Sequence, residues 1–144
     1  MNLLLIFKIH LSATLYMVGV ICLIQIINYP LFALVGKKDF PIYHAKHIRM
    51  TSFVIAIPML VEIISLGLLL YLDTFYRNNS LFIISALFLV INWSVTFLIS
   101  VPLHDILALG FDQKAWQKLV STNWIRTISW IARAILLLEI QNQF

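Results

Sequence analysis

Four stretches of the sequence, 11–35, 51–72, 81–103 and 119–138, run apolar with almost no charge, and polar or turn-forming residues separate them. About 20 mostly apolar residues let a helix cross the hydrocarbon core of a bilayer, so the pattern predicts four transmembrane helices. The first and third stretches carry no charge, Glu62 interrupts the second, and the fourth holds Arg126 and Arg133. Leu3 to Phe7 is also apolar, which extends the first helix toward the N-terminus, with Lys8 reaching back to the headgroups. A cleaved signal peptide is the alternative for this start, but a signal's apolar region spans only about 7–15 residues and ends in small ones.

The punctuation between stretches sharpens these boundaries. Gly36 reads as a left-handed cap closing the first helix, and Asp39 followed by Pro41 as the start of the second. Asn78, Asn79 and Ser80 form the next turn; Gly110 and Asp112 repeat the stop-and-start signal before the fourth helix, whose first residues, 113–118, are amphipathic. The expected architecture is one all-α domain over 1–144, an antiparallel bundle with helices near 3–35, 40–72, 80–109 and 113–141. A faint internal repeat accompanies it. Pro30-Leu31 matches Pro102-Leu103, Ile48-Arg49 matches Ile125-Arg126, and Glu62 and Glu139 each follow their arginine by thirteen residues. Two duplicated helical hairpins would produce that pattern.

Composition agrees with lipid rather than water. Of 144 residues, 62% are hydrophobic and 11% charged, against about 45–50% and about 25% in soluble domains. Cys22 is the only cysteine, so no intramolecular disulfide forms. The net charge of +4 comes from residues beside apolar spans, where basic groups set orientation and meet anionic headgroups. Lys37, Lys38, Lys46, Arg49, Lys114 and Lys118 flank the first and third connections, against Lys8 and Arg77 on the other side. That bias places segments 36–50 and 104–118 in the cytoplasm of a bacterial inner membrane and both termini outside. Basic residues interleaved with stacking aromatics on a soluble face are missing, which argues against nucleic acid as a partner. Glycine-rich phosphate loops, nucleophile elbows and paired cysteines are also absent from the sequence.

Candidate chemistry lies in the polar residues that hydrocarbon tolerates poorly. His44 and His47 are three apart on one helix, and His104 ends the next long apolar stretch, with Asp105 beside it. Such a set suits a transition metal, with Asp105 as ligand or supporting acceptor, or a haem whose propionates meet Arg49 or Arg126. The same histidines also suit plain interfacial positions or a proton relay or pH sensor, and His10 reads as an interfacial residue of the opposite face. Arg49 and Arg126, early in their helices, suggest an anion site. Glu62 lies mid-span, with Asn92 and Arg133 expected at similar depth, and Gln25 is assigned to the same intramembrane polar set. That set reads either as a clasp between helices or as a proton or substrate site.

The segments Gln25…Tyr29-Pro30-Leu31-Phe32, Tyr43-His44-Ala45-Lys46-His47, Pro58-Met59…Glu62, Pro102-Leu103-His104 and Thr122-Asn123-Trp124-Ile125-Arg126-Thr127 resemble an uncharacterised family of small bacterial four-helix membrane proteins. The resemblance covers nearly the whole chain and implies no activity. In size and layout alone the chain is similar to membrane proteins related to anthrone oxygenase. Three classes of function stay open: a metal- or haem-dependent oxidoreductase, a non-catalytic subunit or assembly factor with a membrane protein partner or a second copy of itself, and a small proton-coupled carrier centred on Glu62.

Overall fold

A computed structural model describes residues 2–143. Helix makes up 90% of the described residues, and no strand occurs among them. The elements are α1 (Leu3–Leu34), α2 (Phe40–Leu72), the short α3 (Thr74–Asn78), α4 (Ser80–Ala108) and α5 (Gln113–Gln141). By length and composition α1, α2 and α4 are able to cross a membrane; their 32, 33 and 29 residues make rods of about 44–50 Å at ~1.5 Å per residue. The chain is a multi-pass membrane protein in that sense, and its apolar helices suit a lipid bilayer.

Side-chain caps start most of these helices, each satisfying an amide that the helix itself leaves unpaired. Asn2 accepts from the Leu5 amide at 3.1 Å, Asp73 from Phe75 at 2.9 Å, Asn79 from Phe82 at 3.2 Å and Asp112 from Ala115 at 2.7 Å. Asp39 differs. Pro41 does sit in the first turn of α2, but the Asp39 side chain makes no capping bond. The two connecting glycines also differ. Gly110 adopts φ +149°, whereas Gly36 has no positive φ. The reason is local: α1 tightens into a 3₁₀ turn over Phe32–Leu34 and leaves through an extended Val35, so no left-handed residue is needed.

Pro30 and Pro102 shape the same end of the molecule. A proline lacks an amide hydrogen and crowds the carbonyl four residues before it. In each case the helix widens into a π turn just upstream, Ile24–Asn28 before Pro30 and Thr96–Ser100 before Pro102. Such turns displace side chains from the regular helical register and recur at functional sites.

Buried contacts stack in three levels. Phe7 and Leu11 of α1 meet Leu69 of α2, Phe82 of α4 and Leu137 and Ile140 of α5. Met17, Ile21, Met59 and Trp130 pack in the middle. Tyr29 and Phe32 meet Phe40, Leu103, Leu107, Ala115 and Leu119 at the third level. Early residues of α1 and α4 therefore meet late residues of α2 and α5.

Helix α5 is the unusual member. Its buried positions, among them Leu119, Asn123, Arg126, Trp130, Arg133, Leu137 and Ile140, recur at steps of three and four, the period of one helical face. Three of them are strongly polar. Ile125, Ile128, Ile131, Ile135 and Leu138 point outward instead. The helix is inside out relative to a helix on a water-soluble protein.

Candidate functional site

The buried face of α5 carries Arg126 and Arg133, seven residues apart and so on one stripe. Arg133 is wholly buried, and its Nη1 makes an ion pair with Glu62 Oε1, the only ion pair among the described residues. Glu62 also accepts from Thr14 Oγ1 at 2.7 Å and from Trp130 Nε1 at 3.1 Å. Nη2 of Arg133 lies 3.2 Å from His10 Nε2. A guanidinium only donates, so His10 accepts at Nε2, and a neutral ring then carries its proton on Nδ1. That proton points to Ser65 Oγ at 2.7 Å, and Ser65 passes a bond to the Val61 carbonyl. Glu62, Arg133, His10, Thr14, Trp130 and Ser65 form a network in which the buried charges cancel; of the guanidinium, Nε alone lacks a partner.

Two turns away Arg126 is buried on different terms. Its Nη1 donates to Asn123 Oδ1 at 3.1 Å; Asn123 donates to Gln25 at 2.9 Å, and Gln25 donates to the Val120 carbonyl at 3.2 Å. The guanidinium carbon lies 5.3 Å from the centre of the Trp130 ring, within reach of a cation–π contact. Nε and Nη2, the side-on edge of the fork, have no hydrogen-bond partner, and no carboxylate pairs with the group among the described residues. Only 3% of the residue is exposed.

Arg126 lines a cavity of about 150 Å³ together with Tyr29, Thr51, Ser100, His104 and Asp105. Both π turns contribute to its wall, through Ile24 on α1 and Thr96 and Ser100 on α4. The rest comes largely from α2. The Ser100 hydroxyl is buried without a partner. At about 30 Å³ per water the space suits a small polar group.

The histidines divide at this end. His44 Nε2 lies 3.1 Å from His104 Nδ1, and His104 Nε2 lies 3.1 Å from the Tyr29 hydroxyl. His47 lines the same cavity as His104, but its ring makes separate contacts. Its ring meets the Phe32 edge at 4.9 Å, stacks on Tyr43 at 6.3 Å and reaches Thr51 Oγ1 at 3.5 Å. The Phe32 ring also lies against His44 at 5.6 Å, so an apolar wedge touches both imidazoles. No group of three or more His, Cys, Asp or Glu side chains converges to hold a metal among the described residues. The expected set His44, His47, His104 and Asp105 is therefore not assembled as a ligand set, and Asp105 is exposed at the cavity wall. A haem fits no better, since cofactor pockets run from about 300 Å³ upward and this cavity holds half that.

The other predicted residues are redistributed. Arg49 is exposed and does not meet Arg126 in the cavity. Glu62 and Arg133 are brought together, but Asn92 is not bonded to them; its side-chain amide is buried with neither atom partnered. Gln25 belongs with Asn123 and Arg126 rather than with Glu62. His10, read as interfacial, has 0% exposure and bonds to Ser65 and Arg133. Sequence reasoning missed Thr14, Ser65 and Trp130 as partners, and Ser100 as a residue of the cavity wall. A usable signal existed for the first: His10, Thr14 and Met17 share one face of α1 at steps of four and three.

Comparison with known proteins returns no family model, no curated relative and no solved structure that matches the chain.

Proposed function

We propose that the chain is a four-span, antiparallel helical protein of the bacterial inner membrane that binds an oxyanion, carboxylate or phosphate, at the free edge of Arg126. Membership in the uncharacterised four-helix family belongs to the same proposal. The inside-out pattern of α5 supports its being the fourth span, since isoleucines facing outward suit lipid and arginines facing inward avoid it. The order of contacts supports antiparallel neighbours: His10 meets Ser65, Thr14 meets Glu62, and Phe32 meets His44. The basic bias of the connections favours the cavity end as cytoplasmic.

One observation carries the functional reading. Arg126 is buried at the wall of a cavity beside Tyr29, with Nε and Nη2 unpartnered and no carboxylate paired with it. An uncompensated buried ion costs several kcal/mol, and a planar oxyanion would return two parallel charge-assisted hydrogen bonds. Asn123 and Gln25 hold the opposite nitrogen, which orients the fork before any ligand arrives. Tyr29, Thr51, Ser100 and His104 line the space where the rest of the head would sit. Glu62 is already engaged by Arg133, Thr14 and Trp130, which leaves less for a carrier role.

Acetate and inorganic phosphate, titrated separately into detergent-purified protein, test the reading through its unfolding temperature. Saturating anion should stabilise the native protein, by about 2.7 kcal/mol at 100 times the Kd, and Arg126→Gln should abolish the response. Equal responses in the two proteins would refute it.

A further inference from the structure

Besides Arg126, the cavity wall holds a second group able to reach an oxyanion, the Tyr29 hydroxyl. Tyr29 directly follows the π turn of α1, and His104 follows that of α4 by four residues. Trp116 anchors the Tyr29 backbone, donating from Nε1 to its carbonyl at 2.8 Å. The Tyr29 side chain is buried beside the Arg126 guanidinium and interacts with it electrostatically. From the hydroxyl a chain of contacts leads away from Arg126. It runs 3.1 Å to His104 Nε2, then 3.1 Å from His104 Nδ1 to His44 Nε2. It ends at His44 Nδ1, which is buried and has no partner. Phe40 stacks on the His44 ring at 5.4 Å and Phe32 meets it edge-on at 5.6 Å, so apolar groups close that end.

Donor and acceptor capacity fixes the direction of this chain in the empty site. A guanidinium carries only donors. Tyr29 therefore turns its lone pairs toward Arg126 and its hydrogen toward His104, the one acceptor it has among the described residues. His104 then accepts at Nε2, and a neutral ring keeps its proton on Nδ1. That proton goes to His44 Nε2, which leaves the His44 proton on Nδ1. The other charged or titratable groups facing the chain do not set these tautomers. Asp105, at the cavity wall, bonds to neither ring, and His47 reaches Thr51 instead.

From this geometry we infer that Tyr29 is the second anion-binding group, and that a bound oxyanion reverses the chain His44–His104–Tyr29. The inference rests on the Arg126 oxyanion reading and adds the donor that works beside the fork. An oxyanion brings acceptor atoms to a place where the empty site offers only donors. The Tyr29 hydroxyl then donates to the anion and accepts from His104 Nε2, while His104 Nδ1 accepts from His44 Nε2. Tyr29 and each ring hold one proton before and after. The shift is a relay: Tyr29 passes its hydrogen to His104 Nε2 and takes another from cavity water. His104 passes its Nδ1 proton to His44 Nε2, and His44 Nδ1 releases one to solvent. Tyr29 touches the anion; His104 and His44 are positioning residues that act through it.

Ring-nitrogen NMR of the full chain, isotope-labelled at histidine and held in nanodiscs, tests this with acetate and inorganic phosphate. His44→Gln and His104→Gln assign the signals. Without anion both rings should be protonated at Nδ1; with saturating acetate or phosphate both should become protonated at Nε2. His10, tied into the Arg133 network, should not respond and serves as the internal control. Tyr29→Phe should weaken acetate by about tenfold or more, the loss of one hydrogen bond to a charged group, and should abolish the tautomer response. The wild-type spectra alone keep the test decisive should that variant fold poorly. If an anion binds through Arg126 while both tautomers stay at Nδ1, the reversal is refuted and the oxyanion site stands. Binding that Tyr29→Phe leaves unchanged overturns the role of the hydroxyl in the same way. Rings already protonated at Nε2 without anion overturn the direction of the empty chain. If neither anion binds, the Arg126 reading falls and the reversal falls with it.

Discussion

Arg126 and Arg133 occupy one face of one helix, two turns apart, and both are almost fully buried. Arg133 meets a carboxylate that is itself held by Thr14 and Trp130. Arg126 meets an amide, an aromatic face and a cavity. The contrast separates two uses of buried charge. A compensated pair is an internal fastening, costly to break but chemically closed. An uncompensated guanidinium is a liability to the empty protein and an attraction to an anion. Trp130 touches both, donating its N–H to Glu62 and offering its ring to Arg126, so the two sites share one packed side chain.

The largest expected effect tests the closed half. Arg133→Met strands Glu62 as an unpaired buried charge and should cost about 3–5 kcal/mol in reversible detergent unfolding. Adding Glu62→Leu should recover much of that loss, since two apolar groups replace two charges; simple addition of the single effects would show the pair is not coupled. Trp130→Phe comes next. Loss of a donor to a carboxylate should destabilise by about 1.5–3 kcal/mol, and a smaller change would mean Glu62 does not depend on the indole. Arg126→Met sharpens the comparison most. Without ligand it should be neutral or mildly stabilising, because it removes a charge with no partner. A penalty matching that of Arg133→Met would erase the distinction between the two arginines. Smallest is Arg49→Ala, which should stay within about 0.5 kcal/mol and leave anion binding intact, as an exposed residue outside the cavity.

Much of the helical layout is readable from the chain because it depends on local properties. Apolar stretches long enough for a bilayer, and Asn79 and Asp112 placed one residue before a helix, act through neighbours in sequence. Even locally, similar signals diverge. Gly110 takes a positive φ and Gly36 does not, because a 3₁₀ turn at the end of α1 already redirects the chain. The faint repeat misleads in the same way. Arg49 and Arg126 correspond in the repeat, yet one is exposed and the other buried; Glu62 is buried and Glu139 exposed. The same spacing in two segments does not produce the same rotation about the helix axis.

Sequence by itself therefore determined an all-helical chain with apolar spans and a few polar residues in them that need partners. It also singled out most of those residues by type, because charge in hydrocarbon is conspicuous wherever it falls. Only the tertiary structure decided the pairing: Glu62 with Arg133 and His10, Gln25 with Asn123, His44 with His104, and Arg126 with an open edge. Pairing between helices turns on their relative depth and rotation, and about 100° of rotation accompanies each residue of a helix. A shift of one position is enough to move a side chain from one partner to another, and spacing along a single chain does not encode that alignment.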